Sequence, residues 1–407
     1  IALTNARSAA GDEPNRTAEI RLRAHSDGGA VVEGSPLPLG SLSQRARLLP
    51  ELIAAPSAGW LEVRSDRSDI VGFTLVGDNQ LTRLDGISLG SPPSPRQILP
   101  EVRTSGGSYT RVLVANPGAA PAQTVLRWVS PEAEPIASPV LTIPAGGRLK
   151  MSVDELIGTQ EGGYLVVESP SGAPLSSMEL FGNDYSVAAL PGIAEDRAAD
   201  RLFGAQLAVT PAIGTEISLI NVGDDAHLTL AAFSETGQLA ATRTLSLSAG
   251  EQWRGNAAEL FAIEQLVGWL QVTADRAGLL GSLTFSDPAG QILASLPLQA
   301  SGARESVFSH VAQTSRIFTG LTLLNPGTET ALVSIEVFDA EGNLTGSAFP
   351  ELKRGEKRAR LLTEWIPSLS YQVEGFVRVR SNRPILGFEL FGSGSYLAAV
   401  PQQVVCP

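Results

Sequence analysis

A seven-residue stretch, Leu321-Thr-Leu-Leu-Asn325-Pro-Gly327, returns along the chain as Val112-Leu-Val-Ala-Asn116-Pro-Gly118 and Ile217-Ser-Leu-Ile-Asn221-Val-Gly223, and shortened as Ile1-Ala-Leu-Thr-Asn5. The asparagines at 116, 221 and 325 stand 105 and 104 residues apart, so the chain is a tandem array. Four further landmarks keep the same step. They are a turn glycine (Gly40, Gly146, Gly250, Gly355), a glutamate in an apolar group (Glu51, Glu155, Glu259, Glu364), a glycine-aromatic pair opening a strand, and an apolar pair closing the next strand. The expected units are 1–95, 96–199, 200–303 and 304–407.

The last unit shows what each copy folds into. Val333, Ile335 and Val337 alternate with Ser334 and Glu336, the period of a strand with one buried face. Asp339 to Asn343 follows with the glycine and asparagine of a tight hairpin. Helical character is confined to Arg358–Ile366 and its near-duplicate Arg45–Ile53, expected as a strand ending in one helical turn that plugs the unit. In both, an arginine stands four residues before the glutamate, a spacing that can pair charges on a helix. Seven or eight short strands per unit predict an all-β chain of four antiparallel β-sandwiches. Short joining loops predict that neighbours touch and form a rod.

Unit 1 is shorter at its start. Asn116 lies 21 residues into its unit and Asn5 only five, so the opening strand seen as Ile98–Val102, Phe203–Leu207 and Val307–Val311 has no counterpart. That predicts a strand-acceptor groove at Ile1, Leu3 and Asn5, filled by an upstream part of the same chain or by a copy of it. The C-terminal stretch, with Val404 and Val405, follows the last strand and is the expected donor.

The net charge of −12 argues against nucleic acid, whose phosphates need a basic footprint. No apolar run reaches the length of about 18 residues that spans a bilayer. A lone cysteine, Cys406, excludes an intrachain disulfide. No nucleophile elbow, phosphate loop or dinucleotide fingerprint occurs, and His25, His227 and His310 fall at unrelated offsets. The glutamates stand one per unit, too far apart for an acid-base pair, and are expected to hydrogen-bond the plug backbone. The asparagines are expected to form turns, with left-handed backbone and a self-capping side chain. No catalytic, cofactor or metal residues are therefore assigned. One ring per unit, Trp60, Tyr164, Trp269 and Phe376, is either a stacking platform for a surface glycan or a surface covered by the plug or the next unit.

The pattern I-x-L-x-N-P-G, a strand, an acidic turn, a short plug and G-aromatic-V-x-V-x-S resembles the tandem immunoglobulin-like β-sandwich repeats of secreted bacterial surface proteins. The resemblance implies a non-enzymatic, extracellular or cell-surface structural protein, a stalk or filament subunit polymerising head-to-tail by strand donation. The alternative is an adhesin or carbohydrate-binding array.

Overall fold

The computed structural model describes residues 1–6, 17–54, 58–78, 82–89, 92–160, 162–393 and 396–404. The chain is all-β, with antiparallel pairing in every sheet. Unit 2 shows the repeated plan. One sheet runs Arg148–Ser152, Tyr109–Ala115, Ser176–Gly182, Val187–Pro191; the other runs Pro135–Ala137, Ala122–Val129, Tyr164–Glu168, Arg96–Leu99, Ile193–Ala194. Alternation puts Val112, Val114, Leu126, Leu165 and Val167 in the core between the two sheets. In unit 4 one 17-residue strand, Phe376–Gly392, serves both sheets. The helical turns do plug the units: Leu362, Trp365 and Ile366 are buried in the core of unit 4.

The four units close into a ring, which replaces the expected rod. The last strand of each first sheet, Leu84–Ser88, Val187–Pro191, Leu293–Pro297 and Leu397–Pro401, touches the same strand of the units on either side, and unit 4 meets unit 1. The sheets radiate from these four axial strands like the blades of a four-bladed propeller, each blade carrying its second sheet on one face. Short linkers cannot tell a rod from a ring, because both need each unit to touch the next. The rotation between units decides, and it comes from the shape of the packed sandwich.

Each asparagine of the founding motif is a buried peg. The Asn116 Nδ2 donates to the carbonyls of Ala120 (2.8 Å), Ile143 (3.2 Å) and Pro144 (3.0 Å), and its Oδ1 accepts from the Gly118 N–H (2.9 Å). Asn221 and Asn325 repeat the pattern, and Asn5 donates to the Leu39 carbonyl at 3.0 Å. Asn116, Asn221 and Asn325 cap their own turns as expected, but none of the four has the left-handed backbone expected of it. In these three the side chain ties in carbonyls 26 to 28 residues ahead, and in Asn5 one 34 residues ahead.

Candidate functional site

Two sets of contacts hold the ring, one at the rim and one at the axis. At the rim, a strand residue of each unit donates its N–H to the hairpin of the unit before. Arg148 bonds the Asp27 carbonyl (3.1 Å), Gln252 the Pro131 carbonyl (3.0 Å), Lys357 the Glu235 carbonyl (2.8 Å), and Gln44 closes the circle on the Ala340 carbonyl of unit 4 (3.0 Å). The hairpins present Gly29, Ala133, Gly237 and Gly342, all with positive φ. A side chain at Gly29 would run into the Ala145 carbonyl, so here the glycine permits the close approach.

The aromatic series belongs to this rim. Trp60 Nε1 donates to the Gly146 carbonyl (2.8 Å), Tyr164 Oη to Gly250 (3.0 Å) and Trp269 Nε1 to Gly355 (2.8 Å), each reaching the turn glycine of the next unit. The rings stack within their own sheet: His25 on Trp60, Phe233 on Trp269 and Phe338 on Phe376. Tyr164, Trp269 and Phe376 are buried and Trp60 is half-buried, so three of the four rings offer no open face to a glycan. Burial pushes the Tyr164 hydroxyl up to about 12.

At the axis a single side chain does the joining. The Asp85 carboxylate, from the axial strand of unit 1, accepts the N–H of Gly86 (2.8 Å), of Ala189 in unit 2 (2.8 Å) and of Ala399 in unit 4 (3.0 Å), and the Ser295 N–H of unit 3 also bonds it. The four donors occupy one position of the repeat. Asp85 itself stands where the other units have Ala188, Ala294 and Ala398. Burial pushes its carboxyl up to about 8 while the four N–H groups pull against that rise. Asp85 is not among the repeated landmarks; its signal in the sequence is a lone acid in the last strand of one unit where the others carry alanine.

Other buried ionisable groups sit between the axis and the rim. Glu179 and Glu389 occupy equivalent positions and burial raises both. Glu179 accepts the Glu101 N–H (3.0 Å), whereas neither Glu389 carboxylate oxygen has a partner. Between units 2 and 3, Arg103 pairs with Glu101 (3.1 Å) and Glu216, and Arg254 bonds Glu216 (2.9 Å) and the Val102 carbonyl (3.0 Å). His310, between units 4 and 1, is pushed down to about 4 by burial. These groups are spread over different joints. Among the described residues, no three His, Cys, Asp or Glu side chains group to hold a metal, and no helix is long and apolar enough to cross a membrane.

Several expected placements are corrected. The strand Ala2–Asn5 is paired on both sides, by Gln44–Ala46 and Ile70–Gly77, so Ile1, Leu3 and Asn5 line no open groove. Among the described residues Gly59–Ser65, in the opposite sheet, pairs with Ala18–Ser26 alone. Val404 is no free donor either: Gln403–Val404 pairs with Ser306 and Val307 of its own unit, as Ile193–Ala194 pairs with Gln97 and Ile98 in unit 2. Val405 and Cys406 lie outside the described residues. Arg47 pairs with Glu374 of unit 4, not with Glu51. Glu51 and Glu364 accept the N–H of Leu48 (2.9 Å) and Leu361 (2.8 Å), the plug backbone expected of them.

No protein-family model and no curated protein matches the chain. Among solved structures it is similar to a calcium-binding mutant of Bacteroides uniformis β-glucuronidase 2, with 10% identity over 59% of this chain and 32% of that one at a TM-score of 0.14. It is also similar to the triple jelly roll of a turret assembly in an archaeal virus (10% identity, 82% and 89% covered, TM-score 0.15). A third is dimeric latent PorU from Porphyromonas gingivalis (11%, 78% and 35%, TM-score 0.16). The chain spans about a third of the glucuronidase chain, 32%. Likenesses this distant share a β-rich character and carry no argument about activity.

Proposed function

We propose that this chain is a non-catalytic structural module of an extracellular or cell-surface assembly, acting as a ring-shaped platform and not as a stalk. The observation that carries the reading is the use made of its buried polar groups. The most constrained carboxylate, Asp85, is consumed in tying four axial strands together, and the repeated aromatics are consumed in the rim joints. The dip at one end of the axial strands, between Arg83, Tyr185, Ile292 and Tyr396, measures about 10 Å³, room for one water.

A carbohydrate-binding role is the second reading, and it moves from the four rings to a groove of about 430 Å³ on unit 4. There the exposed Phe349 stands beside Leu332, Arg380 and Asn382. Antibody labelling and protease shaving of intact source cells test the first reading. It expects access without lysis; access only after lysis contradicts it. A glycan array read with the native chain and Phe349→Ala tests the second, which expects hits that the variant loses.

A further inference from the structure

In every unit the second sheet ends in an edge strand that follows the rim hairpin, and in three of the four that edge is broken at a proline. Pro36 separates Val31–Glu33 from Leu37–Leu39 in unit 1, Pro139 separates Pro135–Ala137 from Leu141–Ile143 in unit 2, and Pro350 separates Leu344–Ala348 from Glu351–Leu352 in unit 4. A proline has no N–H to give, and a broken edge offers an incoming strand little to pair with. Unit 3 is built differently. Its edge, Leu239–Leu247, runs nine residues without a proline, pairs with Ala226–Ser234 on one side, and among the described residues pairs with no strand on the other.

The sheet face beside that edge differs in the same unit. Register aligns Arg23, Arg127, Ala231 and Glu336, each five residues beyond the first of its strand. Three of the four are held by an ion pair across the sheet: Arg23 with Glu62 (3.3 Å), Arg127 with Glu168 (3.4 Å) and Glu336 with Arg378 (2.9 Å). In unit 3 the neutral Ala231 lies opposite the neutral Gln271. Charges on the face and breaks in the edge both discourage sheets from joining, and unit 3 lacks both.

The free side of the edge carries unused backbone groups. The His227 N–H turns to the Asp275 carboxylate (2.9 Å), away from the edge strand. By the alternation of an antiparallel ladder, the residues opposite His227, Thr229 and Ala231, which are Ser246, Thr244 and Thr242, then point their own N–H and C=O groups outward. Arg243 Nη1 meets the outward carbonyl of Thr242 at 2.9 Å.

We infer that Leu239–Leu247 pairs with the same strand of a second copy of the chain, antiparallel about a two-fold axis, joining two rings through one continuous sheet. The occupant follows from the edge itself. Unit 3 alone offers an unbroken edge, an antiparallel strand meets its own copy by a single two-fold rotation, and that contact uses both edges and stops at two. Register follows from charge and burial. Opposite residues share a face of the sheet, so the axis passes beside one residue. Centring on Arg243 would set two guanidinium groups against each other. Centring on Thr242 sets each Arg243 against Ala241 and covers Leu239, 58% exposed, with the partner's Leu245. The inference concerns a contact between copies and stands apart from the platform reading.

Sedimentation equilibrium of the full chain tests it. Two nine-residue edges make a small interface, so the native chain should pass from one ring to two with a dissociation constant on the order of 10 to 100 μM. Amide exchange slows at Thr242 and Thr244 as the pair forms. Thr242→Lys and Thr242→Asp, each alone, put like charges opposite each other and weaken pairing at least several-fold, while the melting temperature of the dilute chain holds because Thr242 is exposed. Mixing the two variants restores pairing. A native chain that stays single up to about 1 mM, exchange that slows at other residues instead, single variants that pair as the native chain does, or a mixture no tighter than its components would each overturn the proposal.

Discussion

At the rim of the ring each joint has a hairpin with positive φ that accepts an N–H from the next unit, and in three of the four an aromatic whose polar tip meets the turn glycine 86 residues ahead; Phe376, at the fourth, has no polar tip. At the axis four equivalent N–H groups meet one carboxylate, and only unit 1 supplies it. The difference follows from geometry. Rim contacts are pairwise, so four joints need four copies. Axial contacts converge on one point, where a second or third acid would be repelled by the first, and alanine is what the space allows.

Breaking the axis should therefore cost most. Asp85→Ala leaves up to four buried donors unpaired and lowers stability by about 4 kcal/mol, after allowing for the desolvation cost the carboxylate no longer bears. Thermal melts measure this. Formate or acetate should raise the midpoint of the variant and leave the native chain unchanged, since a small anion can occupy the vacated position. Trp269→Ala removes a buried ring and its bond to Gly355, a loss of about 3 kcal/mol in chemical denaturation. Exchange should then quicken at the joint between units 3 and 4 and not at the other three. Trp60→Ala, at a half-buried ring, costs about 1–2 kcal/mol by the same assay.

Smaller effects separate the axis from the ionisable groups around it. Glu389 has no partner, and unit 3 carries Leu283 at its position, so Glu389→Leu should stabilise by about 1–2 kcal/mol in the same denaturation series. The pH dependence has a definite sign. Asp85, Glu179 and Glu389 hold protons more tightly folded than unfolded, so stability falls as pH rises from about 4 through about 8. His310, pushed down to about 4, acts oppositely between pH 4 and its ordinary value of about 6.5. The carboxyl effect is thus cleanest between about pH 6.5 and 8, where Asp85 should give melts a falling midpoint.

The rim was legible in the sequence because it is repeated. The turn glycines, the aromatics and the asparagine pegs all announced themselves by a common step, although what they did was not apparent. Trp60 and Gly146 each belong to a series, but periodicity does not say that one series touches the other. Asp85 breaks the pattern, and a method that rewards recurrence passes over the residue that recurs nowhere. Closure was hidden for a different reason: similar joints specify the contact between neighbours and leave the number of units per turn to the angle of each joint. The groove expected beside Ile1 and Leu3 is closed, since Ala2–Asn5 is paired on both sides; strand order in sequence does not give sheet membership.

Closure is the claim on which the rest depends, and small-angle X-ray scattering in solution tests it most directly. A closed ring of 407 residues should show a radius of gyration near the compact-chain value of about 22 Å, with a pair-distance distribution close to a single peak. A radius roughly twice that, with a long tail in the distribution, would mean four units strung in a line, and would contradict the contact between unit 4 and unit 1.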